Sequence, residues 1–106
     1  MAKAEFNYDL DSDALYLYNK NNESSYSIEL SDEIIADVDA KGKIIGLEIL
    51  GASKEFDISK DSLKGIKSAE LSNLSKNGAI VGVAFALILA KQVIRNKVLV
   101  PAVSVK

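Results

Sequence analysis

The 106-residue sequence contains neither cysteine nor histidine. Without cysteine there is no disulfide framework and no thiolate metal site. Without histidine, the commonest general base, the commonest transition-metal ligand and the usual pH switch are all missing. A basic surplus is missing too, since 13 Lys and Arg stand against 15 Asp and Glu. Nucleic-acid binders neutralise phosphates with such a surplus, so no nucleic-acid partner is expected. Long apolar runs are also absent. The longest, AIVGVAFALILA at 79–90, has 12 residues and is followed at once by Lys91, Gln92, Arg95 and Asn96. A spanning helix needs about 20 such residues. The opening MAKAEFNYD has one lysine and no apolar stretch, so it does not read as a secretory signal. These absences point to a soluble cytoplasmic protein with no membrane segment.

What is present reads as ordinary globular usage, 48% hydrophobic and 26% charged. The length suits a single domain over 1–106 with one modest core. Glu5–Tyr8 and Ala14–Tyr18 favour extended structure, with a run of turn-formers between them at Asp9–Asp13. In the second segment Leu15 and Leu17 share one side and Tyr16 and Tyr18 the other. NKNNES at 19–24 is a polar loop, and SYSIEL at 25–30 alternates as a half-buried strand does. EIIADVD at 33–39 and IIGLEIL at 44–50 flank Ala40-Lys41-Gly42-Lys43, which predicts a hairpin with Gly42 at a positive φ. About five short strands thus form a meander in the first half.

After Gly51-Ala52-Ser53 the texture changes. KDSLKGI predicts one short helix capped by Ser59 or Asp57 and ended by Gly65. KSAELSNL at 67–74 fits neither template cleanly, and Lys76-Asn77-Gly78 reads as a turn. In 79–90 the large residues Val81, Val83, Phe85, Leu87 and Leu89 share one parity. Ile80, Gly82, Ala84, Ala86, Ile88 and Ala90, mostly small, take the other. That segregation predicts a strand; a helix here would be apolar all round and need complete burial. VLVPAVSV at 98–105 is expected to pair back on it, with Pro101 at a sheet edge or bulge. The small apolar face left over predicts self-association.

Tyr8-Asp9, then Asp13-Ala14-Leu15-Tyr16-Leu17, Ile34-Ile35-Ala36-Asp37, Gly42 through Leu50 and Ala52-Ser53 form an ordered set. This set resembles the small uncharacterised family DUF2283, whose pattern runs YD…DALYI…I..D.D..G..VGIEIL.AS, over roughly residues 6–53. The resemblance implies a short, sheet-rich, oligomerising module with no established activity. Residues 54–106 lie outside it.

Three sets of side chains could carry chemistry. Asp9, Asp11 and Asp13 echo the first three ligands of an EF-hand Ca²⁺ loop. The loop's sixth position should be glycine and is Ala14, and its twelfth should be glutamate and is Lys20. The EF-hand therefore fails. Turn hydrogen bonds are the preferred role for these aspartates, and a weak divalent-cation site on all three, of the Ca²⁺ type, is the alternative. Glu33, Asp37, Asp39 and Glu48 could supply a carboxylate pair of the kind glycosidases use. Glu48 stands in an otherwise apolar strand, and a lysine partner or an oligomer contact is the expected reason. Ser53, Ser59 and Ser62 would need a lysine base to act as nucleophiles, and neighbouring Lys54 and Lys60 point apart from them.

The expected fold is mainly β, or α+β, an antiparallel meander with one short helix and a C-terminal apolar hairpin. The expected protein is non-enzymatic and has no cofactor. Its expected partner is a second copy in a two-fold dimer, or a small protein.

Overall fold

A computed structural model describes residues 2–100 of the chain. Eight strands and two helices follow one another as β1 (Ala2–Asp9), β2 (Ala14–Tyr18), β3 (Tyr26–Glu29), β4 (Ile34–Val38), β5 (Ile44–Leu50), α1 (Ala52–Glu55), α2 (Lys60–Lys64), β6 (Ser68–Lys76), β7 (Ala79–Ile88) and β8 (Val93–Leu99). The strands form one antiparallel sheet in the order β3-β4-β5-β2-β1-β6-β7-β8. The fold class is as the alternation predicted. Strand order is not sequential, because β2 takes β5 rather than β3 as its second partner.

β1 joins two half-sheets. Its residues Glu5–Asp9 pair with β2, in the hairpin expected of EFNY and ALYLY, and Ala2–Ala4 pair with β6. Leu15, Leu17, Leu47 and Ile49 from one half and Ala69, Leu71, Val83, Phe85 and Leu87 from the other fall in a single buried cluster. The inner faces close on one core, to which these strands contribute alternate side chains.

A side chain fastens the two halves where no strand does. Asn73 of β6 accepts a hydrogen bond from the Ile44 N–H at 2.8 Å and donates to the Ile44 carbonyl at 3.0 Å. Its amide thus stands in for a neighbouring strand at the start of β5. This is also why 67–74 resisted reading. Ala69 and Leu71 point inward, and the next inward position is polar for a tertiary reason.

The predicted turns are present. Asp39 Oδ1 accepts from the N–H groups of Lys41 and Lys43, both at 2.9 Å, and Gly42 has φ 86°. Asn77 and Gly78, at φ 54° and 81°, join β6 to β7 with two consecutive left-handed residues, as tight hairpins require. Residues 79–88 form a strand, with Val83, Phe85 and Leu87 buried.

Three expectations need correction. There are two short helices, not one. α2 is the predicted helix, with the Ser59 hydroxyl accepting from the Ser62 N–H at 3.1 Å and Gly65 at its end. α1 was missed because its start is capped from 40 residues away, by Asp13. The final strand begins at Val93 rather than Val98, after a tight connection in which the Leu89 N–H bonds to the Gln92 carbonyl at 2.9 Å. Arg95 and Lys97 obscured it, although outward charges cost an edge strand nothing. Pro101 and the rest of 101–106 lie outside the described residues. Finally, the small face of β7 is not left open. Gly82 and Ala86 are buried, and Ile80, Ala84 and Ile88 half-buried. A Cβ on Gly82 would come within 2.5 Å of the Val98 carbonyl oxygen, so β8 lies tightly against it.

No helix among the described residues is long and apolar enough to cross a membrane.

Candidate functional site

The residues singled out in the first half of the sequence assemble into two hydrogen-bonded groups. The first centres on Asp13, which ends the β1–β2 turn with φ 53°, a conformation aspartate tolerates better than most residues. Its carboxylate is 8% exposed and accepts from the Tyr8 hydroxyl at 2.6 Å, the Ser53 hydroxyl at 2.7 Å and the Ser53 N–H at 3.1 Å. The Asp13 carbonyl accepts from the Ala52 N–H at 2.9 Å. One aspartate thus ties a β-turn to the start of α1, where Gly51 takes a left-handed backbone.

Burial pushes the Asp13 carboxyl up. The hydrogen bonds from Tyr8 and Ser53, with the charge of Lys60, outweigh it and hold the group below the usual carboxylate value. Tyr8 shifts the other way, to about 12, through burial and the Asp13 carboxylate beside it. With the Ser53 and Ala52 N–H groups both bound to Asp13, the contact positions the start of α1.

The second group lies on the outer face of the same half-sheet. The Tyr16 hydroxyl donates to Asp37 Oδ2 at 2.5 Å, and the Ser27 hydroxyl donates to Asp37 Oδ1 at 2.6 Å. These residues come from β2, β4 and β3, and the phenol reaches Asp37 by lying over Gly46 of β5. A Cβ on Gly46 would meet the Tyr16 oxygen at 2.8 Å and Asp37 Oδ2 at 3.2 Å. Glycine is required here for the space above it, not for its backbone freedom. Tyr16 stacks on Tyr18 with ring centroids 5.0 Å apart. Burial, the bond to Asp37 and the nearby charge of Glu48 hold the Tyr16 proton well above the usual phenol range. This phenol is a fixed donor.

The sequence-predicted residues therefore take separate places. Asp9 Oδ1 accepts from the Asp11 N–H at 3.0 Å, an Asx turn, while Asp13 points inward to Ser53. Asp9, Asp11 and Asp13 do not converge, and no group of three ligating side chains able to hold a metal occurs among the described residues. Asp37 and Asp39 serve the Tyr16–Ser27 group and the 39–43 turn respectively. Glu48 faces Tyr16 and Ile35 across the strands, so no lysine stands opposite it. Ser59 and Ser62 bond to each other at the start of α2. Sequence reasoning missed Tyr16, Ser27 and Asn73 as bonding partners. Asn73 alone left a signal, a polar residue at an inward parity.

Among the described residues, the sheet ends in two edge strands that pair on one side only, β3 and β8. Five large hydrophobic side chains are exposed among the described residues, and three lie on these edges: Tyr26 at 52%, Val93 at 49% and Leu99 at 60%.

Comparison with known proteins places these features in a family. Residues 5–53 match the family model described as "Protein of unknown function (DUF2283)". An uncharacterised protein of Methanocaldococcus jannaschii is 33% identical over 92 residues, covering 85% of this chain and 78% of that protein. A Methanosarcina mazei protein, provisionally named a hypoxanthine phosphoribosyltransferase, is 36% identical over 66 residues, or 62% of this chain. The match spans 53% of that protein's length. No solved structure matches the chain. The matched stretch, 5–53, contains every member of both hydrogen-bonded groups, and the chain belongs to the DUF2283 family of proteins of unknown function.

Proposed function

We propose that this chain is a non-enzymatic interaction module that assembles with further copies of itself. The observation that carries the reading is where its unsatisfied surface lies. The motif carboxylates Asp9, Asp13, Asp37 and Asp39 accept internal hydrogen bonds, and the Ser53 and Tyr16 hydroxyls donate them. These groups hold the sheet's shape. Tyr26, Val93 and Leu99 instead expose apolar surface on edge strands, whose main-chain groups can still pair. The phosphoribosyltransferase name of the Methanosarcina protein is not carried to this chain, since the match reaches only about half of that protein.

Multi-angle light scattering from about 1 to 100 µM tests the reading. A mass above that of the 11.4 kDa chain supports it. A monomer throughout the range refutes it.

A further inference from the structure

The two free edges carry opposite charge. Residues 22–33, which hold β3 and its flanks, contain Glu23, Glu29, Asp32 and Glu33 and no lysine or arginine. Residues 89–100, which hold β8, contain Lys91, Arg95 and Lys97 and no acid. These segments stand at opposite ends of the strand order.

Among the described residues, each edge also offers unpaired main chain in a defined phase. The bonds Leu89 N–H to Gln92 and Val100 N–H to Val81 bracket β8 and turn its even-numbered residues toward β7. Val93, Arg95, Lys97 and Leu99 then direct their N–H and C=O groups outward. On β3, the bond from Leu30 N–H to Ile34 commits the even-numbered residues to β4 and leaves Ser27 and Glu29 facing out.

We infer that copies of this chain join head to tail, the basic β8 edge of one adding antiparallel to the acidic β3 edge of the next. This rests on the self-association reading and specifies its contact. With Lys97 opposite Glu29 of the next copy, outward main-chain groups meet outward main-chain groups. The same register sets Val98 against Ile28 and Val100 against Tyr26, and brings Arg95 opposite Ser31, beside Asp32. The two basic edges fit each other less well. A β8–β8 contact centred on Asn96 would set Arg95 against Lys97, and like charges directly opposite are destabilising. A head-to-tail contact closes into a ring where the rotation between copies allows it and otherwise extends as a filament, so it gives species larger than one chain either way.

Charge reversal tests the contact at exposed positions. R95E/K97E and E23K/E29K should each scatter as monomers at concentrations where the wild type is larger. Mixing the two in equal amounts should restore the larger species, because each supplies the edge the other now fits. Circular dichroism checks that both variants keep the β spectrum. A readout independent of any variant is salt: the wild type should dissociate on going from about 50 mM to about 1 M NaCl, where charges are screened beyond about 3 Å. Wild-type mass in either variant, or a mixture that stays monomeric, overturns the edge-to-edge contact and leaves the module reading standing. A wild type that is monomeric throughout overturns both.

Discussion

In the half-sheet of β1–β5, hydrogen bonds between side chains cross the strands: Tyr8 to Asp13, Asp13 to Ser53, Tyr16 to Asp37, Asp37 to Ser27. In the half-sheet of β6–β8, the strands are held by their ladders and by alternating apolar side chains, with Phe85 at the centre against Phe56. The first arrangement is directional and fails when one atom is misplaced. The second is set by volume and is graded. The family match, residues 5–53, falls on the directional half.

That contrast can be broken first at Phe85, 1% exposed. Phe85→Ala should cost about 4 kcal/mol, the usual penalty for emptying an aromatic site in a core. Urea denaturation should show it as a lowered midpoint, and Phe85→Leu should recover most of the loss.

Asp13→Ala should cost about 3 kcal/mol, because it deletes a buried charged acceptor and leaves the Tyr8 and Ser53 donors unpaired. The loss should concentrate at α1 and the 9–13 turn in hydrogen exchange. The wild type should show the same contact in its pH dependence. Asp13 titrates lower when folded than when unfolded, so its contribution is complete above about pH 4 and disappears as pH falls through the depressed folded value. Tyr8 works in the opposite direction. Its folded value is raised to about 12, so its contribution is complete below about pH 10 and is lost as pH climbs toward 12. Asp13→Asn should flatten the acid limb of stability, and Tyr8→Phe the alkaline limb.

Asn73→Ala removes the clamp between the halves and should cost about 2 kcal/mol, through two lost bonds and an unpaired Ile44 peptide. Amides of β5 should exchange faster, while those of β7 should change little. Equal acceleration in both halves would mean that Asn73 is not a local fastener.

Gly46→Ala should cost about 1.5 kcal/mol by pushing the Tyr16 phenol off Asp37. Tyr16→Phe should cost about 1 kcal/mol. The double variant should cost less than the sum, because both changes break one bond. Additive losses would separate the glycine from the phenol. The smallest expected effect is that of Ca²⁺. Titration to about 1 mM, the weak end of calcium modules, should leave the amides of residues 9–13 in place.

Much of this was legible in the residues. ALYLY and EFNY announce a hairpin, Asp39 to Gly42 a turn, and the parity of 79–88 a strand, because each signal is local. The partners of the polar groups were not legible. Asp13 caps a helix 40 positions away, Asn73 bonds to a peptide 29 positions away, and Tyr16 reaches Asp37, 21 positions away, across β5. No periodicity encodes such distances. The aspartates of 9–13 looked like one set because they are neighbours in the chain, but their side chains leave the turn in different directions.

Taken by itself, the sequence determined the class of fold, the parity of β2 and β7, the main turns and the absence of thiol and imidazole chemistry. These follow from alternation, turn preferences and composition, which act over a few residues. Only the tertiary structure decided that β2 pairs with β5, that Gly46 serves as the floor beneath a hydrogen bond, and that an acidic and a basic strand end up as the two free edges of one sheet. Those outcomes depend on which distant segments share the core, and the closing of one apolar cluster between two half-sheets settles that.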